Sequence, residues 1–426
     1  MNTKEDLRAQ LSAAREYTLA IYAHLTPAQL QVPLLAIVNP PPWELAHIAW
    51  FQEFWCCRER PGRPPRPSRY EHFDAWYNSS VIPHAARWAL PHPAYDEILR
   101  QMGETFDATL HALERADSGA LYPFALSVLH ERMHAEALLM TLQTLALPMP
   151  PLLEGAAPDE SIHVGARAAG RDIAFTGGTY LMGTPPDGSR FVFDNEKWAY
   201  PAAVAPFSIA SHCVSNAEYA QFVADNGYAR REWWSEAGWA WRVAAQALHP
   251  ATWRQDGTQW LERRYDRWRP PVAAQPALHV NLHEAQAYCA WAKRRLPSEA
   301  EWEFAARAGG GPANFPWGDE PALLRDCALE ARSCGPLAVG PGESRFGPLA
   351  HMLGNVWEWT ATPFAPYPGF AADPYADYSE PWFGNHAVLR GGSFVTAACL
   401  IHNRFRNFYL PERGDMFVGF RTCALD

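Results

Sequence analysis

WELAHIAWFQEFW (residues 43–55) and LHERMHAEALL (residues 129–139) decide the fold of the first third of the chain. In both segments apolar residues recur at the three- and four-residue spacing of a helix, and prolines precede the first. These segments predict helices that start near residues 43 and 121, and similar patterns predict helices from about residues 5 and 93. Together they predict a four-helix bundle over residues 1–155.

The residue pattern changes after PMPPLLEGAAP (residues 148–158), which is proline-rich and typical of a joint between domains. We predict a linker at residues 156–170 and a second domain at residues 171–426. Short β-like runs and few helices there make the whole chain an α+β multidomain protein. The predicted strands are 173–175, 180–182, 204–209, and a pair at 388–394 and 418–422, and the predicted helices are 215–225 and 283–293.

Composition limits the class of protein. The 426 residues are 48% hydrophobic and 19% charged with a formal net charge of -10, which indicates a soluble globular protein without a basic surface for nucleic acid. An acidic amphipathic start without signal-peptide features, and no apolar run long enough for a membrane span, predict no membrane association and a cytoplasmic location. The eight cysteines show no CxxC spacing, although Cys327 and Cys334 remain a possible pair.

The histidines form the most informative chemical pattern. His130 and His134 lie four residues apart and therefore share one helical face, so both imidazoles can reach one metal ion. His47 lies in the other apolar helix, where an imidazole without a partner is costly. These three residues predict a metal centre. The alternative is a helix that carries two polar residues by chance.

The pair also fits the zinc-protease pattern HExxH, in which Glu131 would be the general base. The proline-rich sequence that follows offers chiefly Glu154 as a third ligand, which disfavours that interpretation. Three neutral nitrogen ligands instead suit Fe(II) with open positions for substrate and O₂. Glu131 and Glu136 either support the histidines or lie on a solvated face, and for Glu136 we favour the solvated face.

Motifs in both halves of the sequence resemble those of known protein families. The two helical segments with FDAWYNSS (residues 73–80) resemble the DinB-like domain of ergothioneine-type sulfoxide synthases, whose three histidines hold iron. The second half resembles the formylglycine-generating-enzyme/sulfatase-modifying domain, a C-type-lectin-like fold, through GNVWEW (354–359), VLRGGSF (388–394) and related motifs. The resemblance implies an iron(II)-dependent oxidoreductase that uses O₂, with Fe(II) on His47, His130 and His134.

A single domain of the second kind would suggest the copper-dependent formylglycine-generating enzyme. That family carries two copper-binding cysteines shortly after the GGS motif, and the expected positions here hold Thr396 and Ile401. Only Cys399 lies nearby. Copper is therefore not expected, and the resemblance assigns the metal to the helical bundle.

The resemblance also implies substrate and catalytic residues. The family's catalytic tyrosine corresponds to Tyr375, which would give a proton or hydrogen atom, and Tyr378 would line the site; the alternative is that both rings only pack a loop. The implied substrate is hercynine, the trimethylammonium betaine of histidine, with Asn407 and Phe408 beside its cation. Arg87 corresponds to a substrate-binding arginine, or it is a surface residue.

Two departures from the family pattern concern the second substrate. Met133 replaces a glutamine, and Tyr409 replaces an aspartate that would bind an ammonium group in enzymes that use γ-glutamylcysteine. An uncharged selenosugar needs no such anchor, so the chain resembles the selenoneine synthase branch, which forms a C–Se bond and a selenoxide. The alternatives are C–S bond formation with cysteine or γ-glutamylcysteine and, in other classes, a zinc hydrolase or a non-catalytic lectin-like binding protein.

Overall fold

The computed structural model describes residues 3–154, 171–186, 190–339 and 346–425. The predicted linker at residues 156–170 lies outside the described residues. The described chain divides into two compact units, one of residues 3–152 with 190–191 and one of residues 153–186 with 192–425. The first unit is helical and the second is α+β, as the sequence predicted.

The first unit contains the four predicted long helices, each starting within about two residues of its expected position. A shorter helix connects the second and third of them, and a helix of four residues follows, of which the first two belong to this unit. The bounds are α1 Lys4–Tyr22, α2 Pro41–Glu53, α3 Phe73–Tyr77, α4 Tyr95–Arg115, α5 Tyr122–Thr144 and α6 Pro151–Glu154.

Helices α2 and α5 form the centre of this unit. Nearly every residue of α2 is buried, and α5 is buried over most of its length, so neither helix has a distinct polar face. Helix α1 instead packs one apolar stripe, Leu7 and Leu11, against Leu113 of α4 and Phe124 of α5. Polar residues on α2 and α5 are therefore held inside the bundle, where each needs a partner or a ligand.

The second unit contains four small sheets with short helices between the strands. Two sheets have four strands each, in the orders β1-β4-β13-β8 and β11-β10-β9-β12, and the others are β2-β3 and β5-β6-β7. The strands are β1 Asp172–Phe175, β2 Gly178–Met182, β3 Tyr200–Val204, β4 Phe207–Ala210, β5 Trp253–Asp256, β6 Gln259–Arg264, β7 Arg267–Arg269, β8 Arg294–Arg295, β9 Trp357–Pro363, β10 Ala387–Arg390, β11 Asn407–Tyr409, β12 Val418–Phe420 and β13 Cys423–Ala424. The helices are α7 Asn216–Ala224, α8 Glu236–Ala244, α9 Leu282–Trp291 and α10 Glu299–Ala306.

Two strand predictions were wrong in detail. The run at 204–209 is not one strand: β3 ends at Val204 and β4 begins at Phe207, and they belong to different sheets because Pro206 interrupts the ladder. The strands β10 and β12 exist but do not pair with each other. Strand β9 lies between them, antiparallel to β10 and parallel to β12.

Helices α8 and α10 were not predicted. Both are short and begin at serine caps, Ser235 and Ser298, whose side-chain oxygens accept hydrogen bonds from backbone N–H groups of the first turn. The serine of SEAEWEFAA was therefore a usable start signal. The possible Cys327–Cys334 pair does not form, and all eight cysteines are free thiols. Among the described helices, none combines the length and apolar character that a membrane span requires.

Candidate metal centre

Three histidines converge inside the helical unit. His47 on α2 and His130 and His134 on α5 each offer one nitrogen, and these nitrogens all lie within 4.8 Å of one another. His47 and His130 are buried and His134 is partly buried. The structure thus brings together the three residues that the sequence singled out. Within the described residues they are the only such group of three or more potential ligands.

Two of the histidines are oriented through their Nδ1 atoms. The Nδ1–H of His47 donates to the backbone oxygen of Tyr77 at 2.7 Å, and Nδ1 of His134 lies 2.8 Å from Oε1 of Glu44. A donated Nδ1 proton leaves the lone pair on Nε2 available, and a carboxylate behind a histidine is a common support of metal ligands. The ring of His130 is held differently, stacked on Phe51 with centroids 3.5 Å apart.

The segment that supplies the Tyr77 carbonyl is tied to α2 by two tryptophans. The indole Nε1 of Trp43 donates to the backbone oxygen of Trp76 at 2.7 Å, and that of Trp50 donates to Oδ1 of Asp74 at 2.7 Å. The apolar spacing of α2 therefore does two things. It buries the helix, and it places two indole donors that hold α3 beside His47.

The electrostatic setting favours the neutral form of the His47 and His130 imidazoles. Burial lowers the pKa of His47 and of His130 well below the usual value, and the neighbouring His134 lowers both further. The neutral form is the one that binds metal. Two nitrogens bound to one ion at about 2.1 Å are at most about 4.2 Å apart, so a small closure of the cluster lets all three bind. The donor set therefore fits a divalent transition metal.

Glu131 does not have the environment of a general base. Its carboxylate is buried and accepts hydrogen bonds from Nε and Nη2 of Arg15 at 2.8 and 3.3 Å. Arg15 also donates to Gln52 Oε1 and the Met102 backbone oxygen. This ion pair joins α1 to α5, and it disfavours the zinc-protease alternative. The prediction that Glu136 lies on a solvated face is wrong, because this residue is only 7% exposed.

Arg87 lies close to the histidines. Its guanidinium is 4.0 Å from the ring centre of Trp43, and the Trp43 ring stacks on His47 with centroids 5.0 Å apart. Nη1 donates to Oδ1 of Asn39 at 2.6 Å. Burial lowers the Arg87 pKa to about 10, although the carboxylate of Glu44 opposes that shift. Arg87 is therefore a half-buried cation beside the cluster. Met133 is half-buried on α5, one residue before His134.

Tyr375 and Tyr378, the two tyrosines predicted to act at the site, lie together in the second unit, around a short 3₁₀ turn at Ala376–Tyr378. Their ring centroids are 6.1 Å apart, and Tyr378 stacks on Phe193 at 3.9 Å. Burial raises the pKa of both phenols above 10, with further increases from Asp377 for Tyr375 and from Glu196 for Tyr378. Both phenols are therefore protonated at neutral pH.

A buried polar network fixes the loop that carries these tyrosines. Ser379 Oγ donates a short hydrogen bond to Asp194 Oδ1, and Asn195 Nδ2 donates to Ser379 Oγ at 2.9 Å. Lys197 forms an ion pair with Asp373 at 2.7 Å. The motif FDNEKW (residues 193–198) is therefore the support of the loop, a role that the sequence pattern alone did not indicate.

The predicted substrate residues on β11 lie beside this loop. Phe408 stacks on Phe364 at 4.0 Å and meets Tyr378 edge-on at 5.9 Å. Oδ1 of Asn407 accepts from the backbone N–H of Phe408 at 2.8 Å. Tyr409 lies under the guanidinium of Arg413, 5.1 Å from its ring centre. Tyr378 and Phe408 are thus brought into contact within the second unit.

Sequence reasoning missed three residues that support the site. Glu44 contacts His134, and the backbone oxygen of Tyr77 contacts His47. Arg15 contacts Glu131. Glu44 offered a signal, because a glutamate three residues before a histidine within an otherwise apolar helix is expensive to bury alone. The Tyr77 contact uses a backbone oxygen, so its side chain carried no signal for it.

Replacing Glu44 by glutamine tests its support of His134. We expect Fe(II) to bind roughly 10- to 100-fold more weakly, because the amide is a poorer acceptor and leaves the His134 ring less firmly oriented. The measurement is anaerobic competition with a chromophoric chelator. Glu16→Gln, on the exposed face of α1, is the matched control. Equal affinities in Glu44→Gln and the unaltered protein would contradict the support role.

The helical bundle with three converging histidines, followed by an α+β unit, defines the class of protein: a two-domain chain with a candidate metal site. Residues 5–143 match the DinB superfamily, and residues 163–425 match the sulfatase-modifying factor enzyme 1-like domain. The chain is 35% identical to hercynine oxygenases of Mycolicibacterium thermoresistibile and Mycolicibacterium smegmatis, covering 99% of this chain in both cases and 95% and 99% of those proteins. It is 31% identical to a formylglycine-generating enzyme of Streptomyces coelicolor over 61% of this chain and 90% of that protein. The chain belongs to the family of these hercynine oxygenases.

Proposed function

We propose that the chain is an O₂-dependent enzyme that modifies hercynine at an Fe(II) ion held by His47, His130 and His134. The observation that carries the proposal is the cluster of three histidine nitrogens within 4.8 Å, in a chain that aligns end to end with hercynine oxygenases. Bound Fe(II) with three neutral nitrogen ligands supplies open coordination positions and one-electron chemistry.

The protein residues around the ligands orient them and exclude water. Glu44 and the Tyr77 carbonyl fix two imidazoles, and Phe51 covers the third. Arg87, stacked on Trp43, is a cation suited to a substrate carboxylate, which hercynine carries. Because the Arg87 guanidinium is half-buried, its hydrogen bonds to that carboxylate are stronger than they would be in water.

Recognition of the hercynine trimethylammonium group is assigned to Asn407 and Phe408. A quaternary cation forms no conventional hydrogen bonds, so aromatic faces and carbonyl dipoles are its suitable neighbours. Phe408 lies in an aromatic group with Tyr378 and Phe364, and the Asn407 side chain presents a carbonyl held by the Phe408 backbone N–H. These contacts support the assignment.

We propose that the second substrate is an uncharged selenosugar, which becomes joined to hercynine by a C–Se bond with selenoxide formation. Tyr409 stands where an aspartate would bind an ammonium group, and its ring already has Arg413 above it. Asp415, six residues further on, is held by the same arginine at 2.6 Å. This arrangement disfavours an ammonium-bearing partner such as γ-glutamylcysteine.

A competition reaction tests the choice of second substrate. Fe(II)-loaded protein is given O₂, hercynine and equal concentrations of a selenosugar, cysteine and γ-glutamylcysteine, and products are identified by mass spectrometry. We expect the selenium-containing product to dominate. A product mixture that contains only sulfur adducts would refute the selenosugar and favour a sulfoxide synthase.

Tyr375→Phe tests the proposed proton donor. We expect turnover to fall by about 10²- to 10⁴-fold, the usual contribution of a positioned proton donor, with hercynine binding unchanged. Tyr378→Phe is the matched control, since its ring packs on Phe193 and we expect a smaller loss. Product formed and O₂ consumed are measured together. Wild-type turnover in Tyr375→Phe would mean that the ring only packs the loop.

A further inference from the structure

Exposure singles out two of the nineteen tryptophans. Only Trp198 and Trp382 are exposed, at 47% and 42%, whereas the others are buried or half-buried. Both flank the loop that carries Tyr375 and Tyr378, which we call the tyrosine loop. Trp198 follows Lys197, which pairs with Asp373 at one end of the loop, and Trp382 Nε1 donates to the Asp377 backbone oxygen at 3.2 Å. Trp198 and Trp382 are therefore the two tryptophans whose rings present substantial apolar area to solvent.

Trp382 has the features of a preformed binding platform. Its indole is tied to the loop through Nε1, and its backbone N–H donates to the Ser379 oxygen at 3.1 Å. Its ring meets His386 edge-on at 5.3 Å, and His386 in turn meets Phe408 at 5.9 Å. A fixed aromatic ring loses little conformational freedom on binding, so its contact area is available at low entropic cost.

The two exposed rings differ in what already covers them. The ammonium of Lys197 lies 5.2 Å from the Trp198 ring centre, which makes that ring part of a cation–π contact. Trp382 belongs instead to the aromatic group of His386, Phe408 and Tyr378. Trp382 is therefore the ring better suited to an additional ligand that carries no charge.

We propose that Trp382 is the platform on which the sugar ring of the second substrate stacks. A pyranose presents an apolar face of C–H groups that packs on an aromatic ring, while its hydroxyl groups stay hydrogen-bonded at the rim. The assignment rests on the proposed function for the choice of a sugar. It adds the residue that would recognise the sugar, which lies next to the residues assigned to hercynine.

Sugar binding can be measured without iron or turnover. The probe is methyl 1-thio-β-D-glucopyranoside, an uncharged analogue without a free thiol or selenol, and its binding is followed by saturation-transfer difference NMR. We expect Trp382→Ala to weaken binding about tenfold, which matches loss of an aromatic contact of about 1.4 kcal/mol. Trp382→Phe keeps a smaller ring and is expected to weaken binding about threefold. Trp260→Phe, a half-buried tryptophan on β6, is the matched control and should bind as the unaltered protein does.

In turnover assays with a selenosugar, Trp382→Phe should raise the KM for the sugar and leave the KM for hercynine unchanged. A protein that binds the probe through Trp382 but consumes no O₂ with hercynine and a selenosugar or thiol would support the platform and contradict the proposed function. A protein that oxidises hercynine but binds the probe equally well in Trp382→Ala, or not at all in its unaltered form, would overturn the platform alone. Trp382→Phe decides the outcome should the alanine variant fail to fold.

Discussion

Replacing His130 by alanine is expected to weaken Fe(II) binding by at least about 100-fold and to abolish oxygen consumption with hercynine and the second substrate. Structural metal sites with four ligands bind with roughly 10–16 kcal/mol, so equal sharing gives each ligand about 2.5–4 kcal/mol. The same loss is expected for His47→Ala and His134→Ala, because the three nitrogens form one cluster. Anaerobic metal titration and an oxygen electrode measure the two effects.

A matched control separates lost ligation from lost packing. Leu142→Ala removes a fully buried side chain from the same helix, two turns beyond His134. We expect it to lower the free energy of unfolding by about 2–5 kcal/mol while iron still binds. A lectin-like binding protein would behave differently, because all three histidine variants would keep their ligand binding intact. That result would contradict a functional metal centre at the three histidines.

Breaking the buried Arg15–Glu131 pair is expected to have the largest effect on stability. Arg15→Met leaves a buried carboxylate without its cation, and such losses lower the free energy of unfolding by about 3–5 kcal/mol. The double variant Arg15→Met/Glu131→Leu, which removes both charges, should recover most of that loss. Chemical denaturation of the metal-free protein gives these values without interference from iron.

The same pair distinguishes two interpretations of the HExxH sequence. Arg8–Glu114 is an exposed ion pair on the same bundle, and Arg8→Met is the control, with an expected change below about 1 kcal/mol. If Glu131 has only a structural role, Glu131→Gln lowers the free energy of unfolding. Its activity then falls only in proportion to the fraction of protein that is unfolded. Complete loss of activity in a Glu131→Gln protein of unaltered stability would instead indicate a general base.

The helical unit was largely predictable because its signals are local. Helix α2 and helix α5 are each long apolar segments, and the i, i+4 spacing of His130 and His134 fixes their common face. The convergence of His47 on that pair depends on how two helices pack, and the sequence suggested it only through burial. The support from Glu44 and from the Tyr77 carbonyl depends on tertiary contacts that no spacing rule describes.

The second unit was harder to predict because its strands are short and its pairings are non-local. Strand β9 contains GNVWEW residues but pairs with two strands that are distant in sequence, one on each side. Nothing in the local pattern of β10 or β12 indicates a strand between them. The tyrosine loop was located only through family resemblance, since its attachment to Asp194 spans more than 180 residues of sequence.

The most direct test of the central proposal is iron-dependent oxygen uptake by anaerobically prepared protein loaded with one Fe(II) per chain. We predict that O₂ is consumed only when hercynine and a second substrate are both present, and that uptake disappears in His130→Ala. Protein that binds zinc, hydrolyses peptides with it and shows no iron-dependent oxygen uptake with hercynine and a second substrate would contradict the iron-dependent function.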